Sequence, residues 1–227
     1  MSNTTDLALY LLTIRGTLAP ATLEAARGVH NQTAGAPANV AAAQSLGDIS
    51  HMVYVPPMQA EKGAGEFLIM DIWNNLDGLN QFFANPQVQH QAGEIFSQRD
   101  PVIWTAAEGF VSYHVPAPFG KNERLVALVR GKVASIDKAR AIHNAGVGKM
   151  INKAHKAGDL THEAYFRMAA PGSPEALEFF AVDVWMSHDG MHEFYDQPEF
   201  MQTMDGMFSA EPDFSLWTHP AGDWVEW

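Results

Sequence analysis

Apolar and polar positions along this chain alternate in ways that name its elements. Residues 7–17 form a short apolar run rich in strand formers, and residues 125–133 form a second. Each run leads into a segment of helical spacing with its own start signal. Pro20 and Thr22 stand at the first start, and Ser135 and Asp137 precede Ala139 and Ile142 at the second. Gly35 with Pro37, and Gly146 with Gly148, predict a break in each helix, while Gly47 and Gly158 predict its end. Strands are predicted over 51–56 and 66–73, and again over 162–168 and 178–185. The connections at 57–65 and 169–176 carry Gly, Pro and charge, as hairpin connections do. Second helices follow over 77–96 and 189–208. Strands at 102–104 with 110–114, and at 215–217 with 223–227, close each half.

The pattern is thus said twice, and the residues say it too. Ala26-Arg27-x-Val29-His30-Asn31 returns as Ala139-Arg140-x-Ile142-His143-Asn144, and Gly47-Asp48-Ile49-Ser50-His51-x-x-Tyr54 as Gly158-Asp159-Leu160-Thr161-His162-x-x-Tyr165. Asp71-x-Trp73, Asp77-Gly78 and Phe82-Phe83-x-x-Pro86 return as Asp183-x-Trp185, Asp189-Gly190 and Phe194-Tyr195-x-x-Pro198. The offset holds near ~112 residues, so a whole domain is duplicated rather than a short solenoid unit. Each copy reads β-α-β-β-α-β, the split βαβ of a ferredoxin-like fold. The third strand is apolar at nearly every position, so both of its faces need cover. The expected architecture is therefore α+β: two tandem ferredoxin-like units, 1–115 and 124–227, joined by a linker at 116–123 and packed sheet to sheet as an intrachain α+β barrel.

Composition narrows the partners. A net charge of -12 leaves no basic stripe for a polyanion, so nucleic-acid binding is not expected. The chain has no cysteine, which excludes disulfides, thiolate metal sites and a cysteine nucleophile. The polar residues 1–6 do not read as a signal peptide, and no apolar run is long enough for a membrane span, so a cytoplasmic location is expected. No Gly-x-Gly-x-x-Gly, Walker loop or Gly-x-Ser-x-Gly elbow supports a nicotinamide, nucleotide or serine-hydrolase reading.

Trp73, Asp77-Gly78, Phe82 and Pro86, repeated at Trp185, Asp189-Gly190, Phe194 and Pro198, resemble the dimeric α+β barrel superfamily. Its members include antibiotic-biosynthesis monooxygenases, EthD-type proteins and stress-responsive barrel proteins. The resemblance implies the fold above, with the duplication supplying a pseudo-dimer in one polypeptide and a further homodimer left open. In the haem-degrading branch a histidine that binds iron stands where this chain has Phe82 and Phe194. The late histidine of the first helix, here His30 and His143, resembles the EthD-type branch.

The candidate chemistry sits on polar residues that both copies kept. A histidine can exchange a proton near neutrality, and an amide can hold a developing oxyanion, so His30-Asn31 and His143-Asn144 are read as a catalytic pair. The plainer reading has each histidine closing its helix. Tyr54 and Tyr165 are read as assisting phenols; His51 and His162 lie three residues earlier and cannot share their strand face. Asp71 and Asp183 are carboxylates in apolar strands and require a partner or a proton. Arg15 and Arg130, on the neighbouring strand, are the expected partners, and a base of raised pKa is the alternative. Trp73 and Trp185 are placed at a cavity mouth, suited to a flat apolar ligand. His188 and His192 have zinc-like i, i+4 spacing, but Leu76 and Asn80 replace them in the other copy, so no metal is expected. Phe82, Phe83, Phe194, Met201, Met204 and Met207 read as core.

These residues point to a cofactor-independent enzyme that moves a proton on a small apolar aromatic or polyketide-like molecule, as a monooxygenase or as a lyase or isomerase. The site is expected between each sheet and its helices. A non-catalytic binding or stress-response barrel, and a haem-binding barrel, are the alternatives.

Overall fold

The computed structural model describes residues 8–57, 65–115 and 125–227. The linker expected at 116–123, residues 1–6 and most of the first hairpin connection fall outside them. Two compact units emerge. Unit 1 comprises residues 1–104 with 220–227, and unit 2 comprises residues 105–219.

In unit 1 the order is β1 (Tyr10–Leu18), α1 (Leu23–Gln32), α2 (Pro37–Ser45), β2 (Asp48–Tyr54), β3 (Glu66–Trp73), α3 (Leu76–Phe83), α4 (Pro86–Ile95) and β4 (Phe96–Ala106). Unit 2 contains β5 (Tyr113–His114), β6 (Leu125–Lys132), α5 (Ile136–Ala157), β7 (Asp159–Arg167), β8 (Glu178–Trp185), α6 (His188–Tyr195), α7 (Pro198–Thr203) and β9 (Asp213–Thr218). The strand orders are β2-β3-β1-β4 and β7-β8-β6-β9, the same antiparallel ferredoxin-like order in both units. Both faces of β3 are buried, as its apolar run requires: Phe67 and Leu68, on opposite faces, are each almost wholly covered.

The units trade their last segments. Residues 105–115 follow the first repeat in sequence but belong to unit 2, where β5 pairs with β7, Tyr113 opposite His162. Residues 220–227 belong to unit 1, where His51 N–H donates to Trp227 O at 2.7 Å and Trp227 N–H returns the bond at 3.2 Å. Each traded segment satisfies the open edge of a strand that would otherwise carry unpaired backbone groups.

Two local details explain kept residues. Thr22 and Ser135 cap α1 and α5 by accepting the backbone N–H groups of Ala25 and Lys138. An added Cβ at Gly78 would lie 1.8 Å from the Leu46 carbonyl, and at Gly190 1.9 Å from that of Ala157. The Asp-Gly dipeptides persist because the start of each second helix presses on the end of the first.

The break predicted at Gly146 and Gly148 does not occur. α5 runs unbroken to Ala157 and stops at Gly158, whose φ of 100° ends it in the left-handed region. In unit 1 the break is real, with α1 ending at Gln32 and α2 starting at Pro37. A proline removes a helix donor outright, whereas each mid-helix glycine costs only about 1 kcal/mol, which tertiary contact can offset. The second helices are likewise divided, at Pro86 and at Pro198.

Candidate functional site

The histidines and strand aspartates singled out for chemistry meet on one face of each sheet. Register places His51 directly opposite Asp71, and His162 directly opposite Asp183. His51 Nδ1 meets Asp71 Oδ1 at 2.7 Å, and His162 Nδ1 meets Asp183 Oδ1 at 2.5 Å. The first helix lowers its late histidine onto that pair. His30 Nε2 lies 2.9 Å from His51 Nε2, and His143 Nε2 lies 2.8 Å from His162 Nε2. The other nitrogen of each helix histidine faces its neighbouring asparagine, His30 to Asn31 Oδ1 at 3.0 Å and His143 to Asn144 Oδ1 at 3.1 Å. Each unit therefore contains a buried Asp–His–His–Asn chain.

The traded segments fix the protons in it. Val225 N–H donates to Asn31 Oδ1, and Asn31 Nδ2 donates to the Asp223 carbonyl. Likewise Val111 N–H donates to Asn144 Oδ1, and Asn144 Nδ2 to the Gly109 carbonyl. With the amide oxygen identified by its backbone donor, the ring nitrogen facing it must carry hydrogen. Neutral His30 and His143 then present bare Nε2 atoms, so His51 and His162 must donate from theirs. The strand histidines are thereby drawn toward imidazolium, their second N–H pointing at a carboxylate.

Electrostatics agrees with this assignment. Burial, helped by the charge of the partner histidine, pushes His30 and His143 each down to about 4. Burial also works against a charge on His51 and His162, but Asp71 and Asp183 reverse it and leave both above the ordinary histidine value. A second buried carboxyl stands beside each chain. Burial and the nearby Asp71 push Asp48 up to about 8; burial and Asp183 push Asp159 up to about 7. A β-bulge between Asp48 and Ser50, repeated between Asp159 and Thr161, turns these aspartates onto the face of histidines three residues away.

Around this common chain the units diverge. In unit 2, Tyr195 Oη donates to Asp183 Oδ2 at 2.7 Å and Tyr113 Oη donates to Asp159. In unit 1 the corresponding positions are Phe83 and Trp227, whose indole stacks on His51 with centroids 4.5 Å apart. Trp227 Nε1 lies near Asp48 and helps hold its charge, although the geometry falls short of a hydrogen bond. A cavity of about 540 Å³ opens in unit 2 against only about 60 Å³ in unit 1. The larger one has walls of Met150, Ile151, Phe179, Phe194 and Phe200, and its floor is His143, His162, Asp159 and Asp183 with both tyrosines. In unit 1, Gln91 and Ile95 of the longer α4 line the space, and Asn39 Nδ2 bonds to Gln91 Oε1 at 3.1 Å.

Several expectations need correction. Asp71 and Asp183 pair with histidines, not with Arg15 and Arg130. Register sets Arg15 across from Leu68, where it reaches Glu66 at 3.0 Å, and Arg130 reaches Glu178 at 2.7 Å. Asn31 and Asn144 each hold a histidine, accept a backbone N–H and donate to a backbone carbonyl, and neither lines its unit's cavity. Tyr165 donates to Glu163, and neither it nor Tyr54 lines its unit's cavity. Trp185 lines the cavity wall and Trp73 does not, and both are fully covered rather than at a mouth. His188 and His192 meet at 3.0 Å on the surface, each with an exposed aspartate about 4 Å away, and among the described residues no group of three or more His, Cys, Asp or Glu is arranged to hold a metal. Asp48, Asp159, Tyr113 and Tyr195 join the site without having been among the candidate residues. Retention of Gly-Asp in both copies was the available signal for the aspartates.

The residues present do not fit a haem. Both cavity histidines have each ring nitrogen engaged, and the helix position where the resemblance would place an iron-binding histidine is Phe194, or Phe82 in unit 1.

No family model and no curated protein matches the chain. Solved structures do match over its full length. A candidate monooxygenase from Fusobacterium nucleatum is 12% identical with a TM-score of 0.61, covering 98% of each chain. An anthrone oxidase-like protein is 14% identical with a TM-score of 0.59, covering 94% of this chain and 92% of that one. A chlorite dismutase variant from Candidatus Nitrospira defluvii is 8% identical with a TM-score of 0.53, covering 96% and 92%. At such identities the likeness is one of fold: the chain shares the tandem ferredoxin-like α+β architecture of these proteins. Among the described residues no helix is long and apolar enough to cross a membrane.

Proposed function

We propose that unit 2 is the active half of an enzyme that removes a proton from a small, neutral, largely apolar aromatic ketone and lets dioxygen oxidise the resulting enolate. The observation that carries this reading is the cavity of about 540 Å³, apolar on its walls, that ends on a buried His143–His162–Asp183 chain. Its volume suits one ligand of drug-like size. An anthrone-like tricycle has the right character, and the fold-level likeness to an anthrone oxidase-like protein supports that choice. In the reaction a methylene carbon loses two hydrogens and gains one oxygen atom from dioxygen; the other oxygen atom leaves as water. A lyase or isomerase step would share the first proton abstraction.

One observation favours a structural role for the chain itself. Unit 1 keeps the same hydrogen bonds around a space of about 60 Å³, too small for a substrate. The chain therefore serves the fold in unit 1, and in unit 2 we assign it the second task. Oxygen uptake with anthrone tests this. His143→Ala is expected to lower kcat by about 100-fold or more, and His30→Ala to leave it within about threefold below its own melting temperature. Equal losses in both variants, or no oxygen uptake by the wild-type protein, would overturn the proposal.

A further inference from the structure

The histidine chain in unit 2 leaves no histidine nitrogen free to meet a substrate. His143 Nδ1 faces Asn144, the two Nε2 atoms face each other, and His162 Nδ1 faces Asp183. Asp183 is also committed, with Oδ1 to His162 and Oδ2 to Tyr195. Asp159 differs. It lines the cavity, accepts the Tyr113 hydroxyl on Oδ2 and, on Oδ1, only the Thr161 N–H at 3.3 Å, so its Oδ1 is held far more weakly than either Asp183 oxygen.

We infer that Asp159 is the residue that touches the substrate and takes its proton, that Tyr113 positions it, and that the His143–His162–Asp183 chain holds the charge beside it. This rests on reading unit 2 as the active half. In the step, the Asp159 carboxylate takes a proton from the ring methylene that faces the ketone across the central ring of an anthrone-like substrate, conjugated to it through the fused aromatic rings. The electron pair of that C–H bond moves to the carbonyl oxygen, and dioxygen is the oxidant that follows. The groups facing Asp159 are Tyr113 from β5, His162 from β7, Asp183 from β8 and Tyr195 from α6, with the His155 ring against Tyr113. Burial and Asp183 favour a proton on Asp159, whereas the Tyr113 bond and His162 favour its carboxylate, and the balance falls at about 7. A base so poised works at neutral pH. Unit 1 has Trp227 in place of the phenol, so the inference concerns one half alone.

Anthrone and anthraquinone serve as probes. The wild-type kcat with anthrone should rise with pH and level off above about 7. Asp159→Asn should cost about 100-fold or more and abolish the rising limb. Tyr113→Phe should keep the limb but move it to higher pH, because the lost hydrogen bond had favoured the carboxylate. If kcat of Asp159→Asn stays within about threefold of wild type, the inference fails while the active-half reading stands. If the wild-type protein does not turn anthrone over, that reading fails and the inference falls with it; where turnover is seen, binding is the second check. Anthraquinone has no proton to lose and can only accept a hydrogen bond from protonated Asp159. Its Kd, followed by quenching of tryptophan fluorescence, should fall as pH drops through about 7 in wild type and stay flat in Asp159→Asn. A flat wild-type profile, an equally steep one in Asp159→Asn, or no binding at all would overturn it.

Discussion

At the end of the shared Asp–His–His–Asn chain, unit 1 sets Trp227 and Phe83 where unit 2 sets Tyr113 and Tyr195. Two hydroxyls and the space around them separate a sealed core from a lined cavity. The chain itself does not. Its distances agree between the units to within a few tenths of an ångström, 2.9 against 2.8 Å at the histidine pair and 3.0 against 3.1 Å at the asparagine. What the halves share therefore belongs to the fold: it ties the first helix, two strands and a traded segment together through groups too polar to be buried unpaired. What they do not share is the space, and that is where a ligand-specific function can reside.

Substituting the plug is the sharpest way to break this contrast. Trp227→Ala should cost about 3 kcal/mol, the low end for losing a tryptophan because this one is half-buried. It should also let unit 1 accept anthraquinone, raising the stoichiometry from one to two by equilibrium dialysis. A stoichiometry that stays at one would mean that α4, not the indole, closes the space.

A smaller effect comes from pH. Asp48 carries its proton in the folded state up to about 8, whereas an unfolded aspartate releases it near 3.8, so its contribution falls as pH rises through that window. Asp48→Asn should therefore gain urea stability relative to wild type as pH rises from about 4 to about 8. In unit 2 the gain for Asp159→Asn should be complete nearer 7. His30 and His143 act in the opposite sense. Both are lowered to about 4, so stability is lost as pH falls from 6.5 toward 4. If Asp48→Asn tracks the wild type at every pH, the protonated carboxyl assigned here is wrong.

The smallest difference lies at the ion pairs between the two central strands of each unit. Arg15 and Glu66 are 31% and 49% exposed, so Arg15→Gln should cost less than about 1 kcal/mol. Glu178 is 12% exposed and accepts from both Arg130 and Arg167, so Arg130→Gln should cost about 1–3 kcal/mol in the same melts. Equal costs would show that the second arginine adds nothing.

Much of this was legible beforehand. Periodicity located the central strands to within a few residues, and comparison of the copies picked out both histidines and the strand aspartate of every chain. The partner of that aspartate was misjudged because adjacency of strands does not specify register, and register sets Arg15 three residues along from the position opposite Asp71. Tyr54 and Tyr165 stood out because both copies keep a phenol in that strand. Tyr113 and Tyr195 come instead from a traded segment and a helix.

Duplication, the ferredoxin-like order of elements and the kept polar set were determined by the sequence alone, because hydrophobic period and cap chemistry are local and were written twice. Three things were decided only in three dimensions. The bulges after Asp48 and Asp159 bring residues three apart onto one face, against the period of two. The traded segments fix the asparagine amides and, through them, the proton on each histidine. The cavity opens in unit 2, where the corresponding place lacks the Trp227 indole and the longer α4 of unit 1, a matter of packing that no single residue announces.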